Sequence, residues 1–330
     1  MKIAVMGTGG MGGYYGGLLG SVGADVSFIA RGEHLKAIKQ DGLLLKGDGD
    51  EICLKSIMAT DQPSEIGVVD VVLFCVKLYD IETATEVIKP LLGDNTMVIS
   101  VLNGVDGPIR LERIIGLGRV IGGAAYASAY IEAPGTIKYK STGGRLKIGE
   151  LSGEISERID TFRTICEPAS FECEVTENIV GALWDKYILL ATNAGLSCVC
   201  RSPIGKIYND ADLLEVAIAL MEEVRALALK QNIAIDPNVI EHSLEWSKGL
   251  PSDLFASMYH DMAAGKRMEL EGMSGYVKRL GKELGVSTPC HSLLYGGLKF
   301  FKDGRLKDFD FVIRGLGFLW LFMLTLMLVQ

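Results

Sequence analysis

The sequence predicts an α/β protein whose first part is a sheet with helical crossovers and whose second part is all-helical, and three observations carry that expectation. A short apolar run at the start breaks into the glycine cluster "GTGGMGG". Up to about Ile148, further short runs rich in valine and isoleucine alternate with helical segments, the pattern of buried parallel strands joined by crossovers. After about Ser170 come long segments such as "ADLLEVAIALMEEVRALALKQN", where apolar residues recur every three and four positions as on amphipathic helices.

Taken in order, strands are expected near 2–7, 25–30, 69–76, 97–102 and 119–125, and helices near 10–22, 33–40, 81–92 and 108–115. "GLLLKGDGDEICLKSIMAT" reads as an extended, hairpin-like piece and "GTIKYKSTGGRLKIGE" as another. "EVTENIVGALWDKYILLATNAGLSCVC" reads as a long helix at the transition between the halves, and "LEGMSGYVKRLGKELG" as a later one. The expected division is a sheet domain over 1–170, a helical domain over 171–314 and an apolar C-terminal tail over 315–330.

At 330 residues the chain has room for two ordinary domains with sizeable cores. Its 33 basic against 41 acidic residues give a net charge of -8, so the footprint of a nucleic-acid binder is missing and small molecules are the expected partners. Seven scattered cysteines without paired spacings argue against a disulfide framework and against a zinc site, which fits a reducing cytoplasm. His34, His242, His260 and His291 are too dispersed to imply a metal, and the Met-rich stretches read as adaptable packing. Lys2 leads into a strand that breaks into glycines, which is not the layout of a secretory signal.

The run "GLGFLWLFMLTLMLVQ" from Gly315 to Gln330 carries no charge. As a helix it would extend ~24 Å against a hydrocarbon core of ~30 Å. A final buried or subunit-interface helix, or a terminus altered by a reading-frame change, is favoured over a membrane tail, which the run leaves open. Outside a membrane such a tail would need a partner surface, so a homodimer is one expectation.

Gly7, Gly9 and Gly12 satisfy G-x-G-x-x-G between a buried strand and a small-residue helix, the context in which that pattern marks a Rossmann-type dinucleotide-binding domain. Gly7 permits the tight turn, Gly9 lets the backbone approach a pyrophosphate, and Gly12 lets the helix pack close to the strand. The loop residues Gly7, Thr8, Gly9, Gly10, Met11 and Gly12 are therefore the expected cofactor-binding segment, with the helix N-terminus supplying N–H groups to the phosphates. Where an NAD site usually carries an acid at the end of the second strand, this chain has Arg31. A guanidinium there offers donors to a 2′-phosphate, which favours NADPH/NADP+, with Lys36 as a second cation. The competing reading is that Arg31 is an ordinary solvated charge at a strand end.

With these glycines and Arg31, "VLFCVK" ending at Lys77, "VISVLNG" with Asn103, "LWDKYIL" with Lys186, and "SMYHDMAAGKRMELEGMSGYV" with Ser257 and Glu269, the chain resembles the ketopantoate reductase (2-dehydropantoate 2-reductase) family over roughly residues 1–300. The resemblance implies NADPH-dependent reduction of a 2-keto acid to a 2-hydroxy acid, with pantothenate and coenzyme A biosynthesis as its setting. It also implies Lys186 as proton donor, Asn103 beside the reacting oxygen or the nicotinamide, Lys77 contacting cofactor and substrate carboxylate, and Glu269 orienting Lys186 or accepting from the substrate hydroxyl. Ser257 would hydrogen-bond the substrate. Burial would lower the lysine pKa toward easy proton release, whereas a nearby Glu269 would favour the ammonium. Without the resemblance, a lysine in "WDKYILL" reads as a snorkelling core-helix residue, Glu269 as an exposed helix acid and Ser257 as a helix-start serine. Glu271 cannot share a helical face with Glu269, and Glu269 is the one expected to point inward.

The chain departs from the family where asparagines are expected four and eight residues after the lysine: it has Leu190 and Ala194. Asn193 lies two helical turns beyond Lys186, near the same face, and is the expected partial substitute. Lost amides weaken the case for ketopantoate itself, so a same-fold reductase of another 2-oxo acid is the alternative, with a non-catalytic dinucleotide-binding protein behind it.

Overall fold

A computed structural model describes residues 1–140 and 144–304, so the apolar tail 315–330 lies outside the described residues. In chain order the elements are β1 (Lys2–Met6), α1 (Gly10–Ser21), β2 (Asp25–Ile29), α2 (Gly32–Asp41), β3 (Leu43–Lys46), β4 (Glu51–Leu54), β5 (Ala59–Thr60), β6 (Val69–Phe74), α3 (Ile81–Val87), β7 (Leu92–Ser100), α4 (Gly107–Ile115) and β8 (Val120–Tyr126). They continue with β9 (Ala129–Ala133), β10 (Thr136–Tyr139), β11 (Arg145–Glu150), α5 (Glu157–Cys166), β12 (Glu172–Val175) and α6 (Ile179–Cys200). The remaining helices are α7 (Ile204–Tyr208), α8 (Ala211–Lys230), α9 (Val239–Lys248), α10 (Ser257–Ala263), α11 (Ser274–Leu284) and α12 (Pro289–Leu298). The chain divides into two compact units, Met1–Tyr187 with Ala228–Val239, and Ile188–Leu227 with Ile240–Gln330.

The first unit is built on an eight-stranded sheet in the order β12-β11-β8-β7-β6-β1-β2-β5. All its pairs are parallel except β8 with β11. From β1 the chain winds outward to β2 and β5, then returns to β6, β7 and β8 on the other side. That reversal beside β1 opens a crevice at the carboxyl ends of the strands, where such sheets take their ligands. Strands buried on both faces require unbroken apolar runs, and Val71 to Phe74 of β6 are fully buried.

A second sheet of four strands, β4-β3-β10-β9, belongs to the same unit. Helix α1 packs between the two sheets, and its glycines make the fit possible. A Cβ at Gly16 would come 2.5 Å from Val5 Cγ2 in the main sheet, whereas one at Gly13 or Gly17 would come 2.6 Å from Ile137 Cγ1 or Leu45 Cδ1 in the other.

The strands and helices expected in the first half are found within a few residues, with three differences. "GTIKYKSTGGRLKIGE" is not a hairpin: β10 pairs with β3 and β9, whereas β11 joins the main sheet between β8 and β12. Period-2 alternation marks a strand but not its sheet. The helix expected over 81–92 stops at Val87, since Pro90 lacks the N–H a helix needs, and the strand expected from 97 already begins at Leu92. Glu174 and Val175, expected to begin a long helix, end strand β12.

The second unit is helical among its described residues. On α8, Ala217, Leu220, Met221, Val224 and Leu227 are fully buried at the helical repeat that the sequence shows. The first turn of α12 is capped by Glu223, whose carboxylate accepts from the backbone N–H of Cys290 (2.7 Å) and of His291 (2.9 Å). "LEGMSGYVKRLGKELG" becomes a helix only from Ser274, after turns through Met273. Among the described residues no helix is long and apolar enough to cross a membrane.

Candidate active site

The glycine loop joins the end of β1 to α1. Gly7 has φ +91°, and a Cβ there would press on the backbone of Cys75, so the turn requires glycine. A Cβ at Gly12 would collide with the carbonyl oxygen of Gly7 and lie 2.8 Å from Val5 Cγ1, so α1 can start close over β1 only without a side chain there. Thr8 is buried and its hydroxyl donates to the carbonyl of Ile29 at 3.0 Å, which ties the loop to the end of β2. Gly9 is the N-cap of α1 and makes no side-chain cap; a Cβ there would meet nothing within 4 Å. Gly10 differs, because its own Cβ position abuts the backbone of Ala129 in β9. Half-buried Met11 follows it in the first turn, which holds no acidic residue. An open approach at Gly9 over uncapped N–H groups suits a pyrophosphate, so the loop fits a dinucleotide.

Arg31 is the N-cap residue of α2, just beyond β2, with its side chain 81% exposed and Nη2 3.7 Å from Asp80 Oδ2. Lys36 lies on the exposed side of α2 and pairs with Glu33 at 2.6 Å. Cys75 follows β6, and burial pushes its thiol up to about 12, which favours the neutral thiol.

The carboxyl ends of neighbouring strands present the other residues in a row. Lys77, half-buried, follows β6; Asn103, half-buried, follows β7; and Tyr126 ends β8. Lys186, on α6, brings Nζ within 3.5 Å of Asn103 Oδ1, the long limit of a hydrogen bond, and within 5.8 Å of the centre of the Tyr126 ring. Asp185, beside Lys186, accepts from the backbone N–H of Asp236 at 3.0 Å, which binds the start of α6 to the 228–239 segment. Burial raises the carboxyl pKa of Asp185. The structure thus brings Lys186 and Asn103 together with Tyr126, a residue the sequence reading missed because it is the last residue of an ordinary strand.

The second unit holds the other candidates. Glu269 is 4% exposed and lies in the turns before α11, whereas Glu271 faces outward, where its carboxylate accepts from Arg279 (2.7 Å), Tyr295 (2.9 Å) and Lys302 (3.0 Å). Ser257 is exposed at the first position of α10. Asn193 is buried, and its Oδ1 accepts from the Tyr208 hydroxyl at 2.7 Å. Leu190 is half-buried and Ala194 buried, one and two turns beyond Lys186 on α6.

A glycine loop at the switch point of a doubly wound sheet, with a lysine and an asparagine at the carboxyl ends beside it, defines a dinucleotide-binding oxidoreductase. The family models for "Ketopantoate reductase PanE/ApbA" and "Ketopantoate reductase PanE/ApbA C terminal" match residues 3–153 and 178–302. The 2-dehydropantoate 2-reductase of Pyrococcus horikoshii is 30% identical over 303 residues, covering 91% of this chain and 97% of its own. A crystal structure of a PanE/ApbA family ketopantoate reductase from Ralstonia eutropha JMP134 superposes with a TM-score of 0.84 at 30% identity, over 92% of this chain and 98% of that one. A D-mandelate dehydrogenase solved with NADH and anilino(oxo)acetate shares the fold, with a TM-score of 0.85 at 23% identity over 92% and 98% of the two chains. The chain belongs to the ketopantoate reductase family, whose members are oxidoreductases.

Proposed function

We propose that the protein uses NADPH to reduce the keto group of a 2-oxo acid, in the first instance 2-dehydropantoate (ketopantoate) to pantoate on the way to pantothenate and coenzyme A. The observation that carries this reading is the approach of Lys186 Nζ to Asn103 Oδ1 at the carboxyl edge of the sheet that bears the glycine loop. The relatives that carry the 2-dehydropantoate 2-reductase name over nine-tenths of the chain support the substrate.

Bound NADPH would supply a hydride to the keto carbon, and the charge that develops on the carbonyl oxygen has to be met by a proton. Lys186 donates that proton from its ammonium group. Asn103 accepts from Lys186 through Oδ1, which leaves its Nδ2 hydrogens for the carbonyl oxygen or the nicotinamide. Lys77 attracts the substrate carboxylate and contacts the cofactor; Ser257 hydrogen-bonds the same end of the substrate; Glu269 orients Lys186 or accepts from the product hydroxyl. The sum is 2-oxo acid, NADPH and a proton giving 2-hydroxy acid and NADP+. The unit that bears the sheet binds the cofactor, and the helical unit contributes Ser257 and Glu269 to the substrate. The reading places the enzyme in the cytoplasm, as a homodimer acting on a small molecule.

A second reading, the same chemistry on a 2-oxo acid with an apolar tail, is favoured by α6. Leu190 and Ala194 offer no hydrogen bond, and the carbonyl of Asn193 is already committed to Tyr208. Oxidation of NADPH followed by its absorbance, with ketopantoate and a series of 2-oxo acids of increasing apolar bulk, separates the two. Substituting Lys186→Ala is expected to cut kcat by about 100- to 10,000-fold. Undiminished turnover in that variant overturns the mechanism, and NADPH binding with no turnover of any 2-oxo acid overturns the function.

A further inference from the structure

Tyr126 has no assigned part in the reaction, yet two cations lie against its ring. The Arg145 guanidinium carbon is 4.6 Å from the ring centre and Lys186 Nζ is 5.8 Å from it. Both distances fall where the negative face of an aromatic ring attracts a cation. The pairing is built into the sheet: Tyr126 and Arg145 are direct partners across the antiparallel β8/β11 ladder, and Tyr126 is the carboxyl-end residue of the strand next to the one that delivers Asn103.

We propose that Tyr126 is a positioning residue for the reaction, its ring face and Asn103 Oδ1 together fixing the Lys186 ammonium in place as the proton donor. The inference rests on Lys186 as donor. A ring suits this task better than a carboxylate, because it attracts the ammonium without accepting its proton. Tyr126 stays neutral, since burial, the largest effect, raises the pKa of its phenol; Arg145 pulls it down by less, and Asp185 and Glu174 add smaller pushes upward.

The charged groups around Lys186 in this unit are otherwise mixed. Arg145 and Lys147 on β11 disfavour a third cation, and Glu174 on β12 pairs with both and offsets one of their two charges, at 3.4 Å from Arg145 Nη1 and 2.7 Å from Lys147 Nζ. Asp185 adds a half-buried carboxyl whose ionisation burial opposes. Within that mixed field the ring, at 5.8 Å, and the asparagine oxygen, at 3.5 Å, both draw on the ammonium.

The test is competitive acetylation of the full-length protein with trace acetic anhydride across pH, read at Lys186 by mass spectrometry with exposed Lys36 as internal reference. Only the free amine reacts, so the profile reports how firmly the ammonium is kept. In Tyr126→Leu, Lys186 is expected to react about two- to fivefold faster near neutral pH and at the wild-type rate at strongly alkaline pH, where the lysine is deprotonated in both proteins. Tyr126→Phe, which keeps the ring and drops the hydroxyl, is expected to match wild type. In turnover, Tyr126→Leu lowers kcat with KM little changed, and Tyr126→Phe restores it.

An unchanged profile in Tyr126→Leu overturns the proposal. Equal acceleration in both variants also overturns it, because the hydroxyl would then be responsible, as does acceleration at every pH, which reports access alone. Thermal melting of each variant identifies a folding defect, and Tyr126→Phe keeps the question answerable if Tyr126→Leu unfolds. The labelling result is independent of turnover. A Lys186→Ala enzyme with full activity would remove the donor role while leaving the ring's hold on the ammonium measurable.

Discussion

The guanidinium of Arg31 lies 3.7 Å from the carboxylate of Asp80, an ion pair between a side chain 81% exposed and one 36% exposed. Such a pair at the surface holds its members loosely and is screened by salt, so either can be taken by a better partner. Under the proposed use of NADPH, a 2′-phosphate is the better partner for Arg31, whereas the Asp80 carboxylate beside it repels that phosphate. Arg31→Ala is expected to lower kcat/KM for NADPH by about 10- to 100-fold while leaving NADH nearly unchanged. Asp80→Asn removes a charge that repels the phosphate and shifts preference further toward NADPH. Steady-state kinetics with both cofactors check both; equal loss for NADPH and NADH in Arg31→Ala would remove Arg31 as the discriminator.

Adjacent glycines on α1 are expected to fail differently. A methyl at Gly12 meets the carbonyl oxygen of Gly7, which is backbone of the cofactor loop, so Gly12→Ala should weaken NADPH binding as well as stability. At Gly13 the neighbour is Ile137 Cγ1 at 2.6 Å, on the four-stranded sheet. Overpacking there costs about 1–3 kcal/mol, against about 1 kcal/mol gained from alanine's helix propensity. Gly13→Ala should therefore melt earlier yet bind NADPH normally once folded, as titration of cofactor fluorescence would show.

These two residues also mark how far the sequence could be read. Gly12 was legible because its partner is the adjoining strand, five to seven residues away, and the motif encodes that local geometry. Gly13 was not, because Ile137 arrives from a strand more than a hundred residues on. The same limit applies to β10 and β11, each legible as a strand but not as members of different sheets. It applies again to Tyr126, whose meaning depends on Arg145 across the ladder and on Lys186 from a helix. Lys186 and Asn103 were legible only through family resemblance; composition alone would have left the lysine as a core-helix residue that snorkels. The return of segment 228–239 to the first unit, fixed by the Asp236 N–H on Asp185 and by Asn178 Nδ2 on the Ala234 carbonyl at 2.6 Å, left no local signal.

Asn193 and Tyr208 are buried together, and the 2.7 Å bond between them satisfies a hydroxyl and an amide oxygen that water cannot reach. Removing one partner takes away a buried bond, so Asn193→Ala should cost about 1–3 kcal/mol. Tyr208→Phe should cost a comparable amount, and the double variant less than the sum of the two. Urea denaturation of the three proteins measures the coupling. If Asn193 served the substrate instead, Asn193→Ala would raise KM with stability intact.

His291 sets a pH dependence of stability whose sign follows from its surroundings. It is fully buried on α12, with Nδ1 3.2 Å from Ser274 Oγ and Nε2 3.2 Å from the carbonyl oxygen of Leu220, so the neutral ring donates through Nε2 to the carbonyl and can accept from the serine. Burial lowers its pKa from 6.5 to about 4. Because the unfolded chain takes up a proton near 6.5 and the folded one only near 4, unfolding is favoured as the solution is acidified between those values. The contribution is fully present above the unfolded pKa and is lost on going down, by about 2 kcal/mol at about pH 5 relative to neutrality. His291→Gln removes the titrating group. It should be less stable at neutral pH, where the packed imidazole is missing, and the wild-type advantage should shrink by about 2 kcal/mol on acidification to about pH 5. Urea denaturation of both proteins at the two pH values cancels the carboxylates they share, so an advantage that stays constant would mean that His291 is protonated in the folded protein.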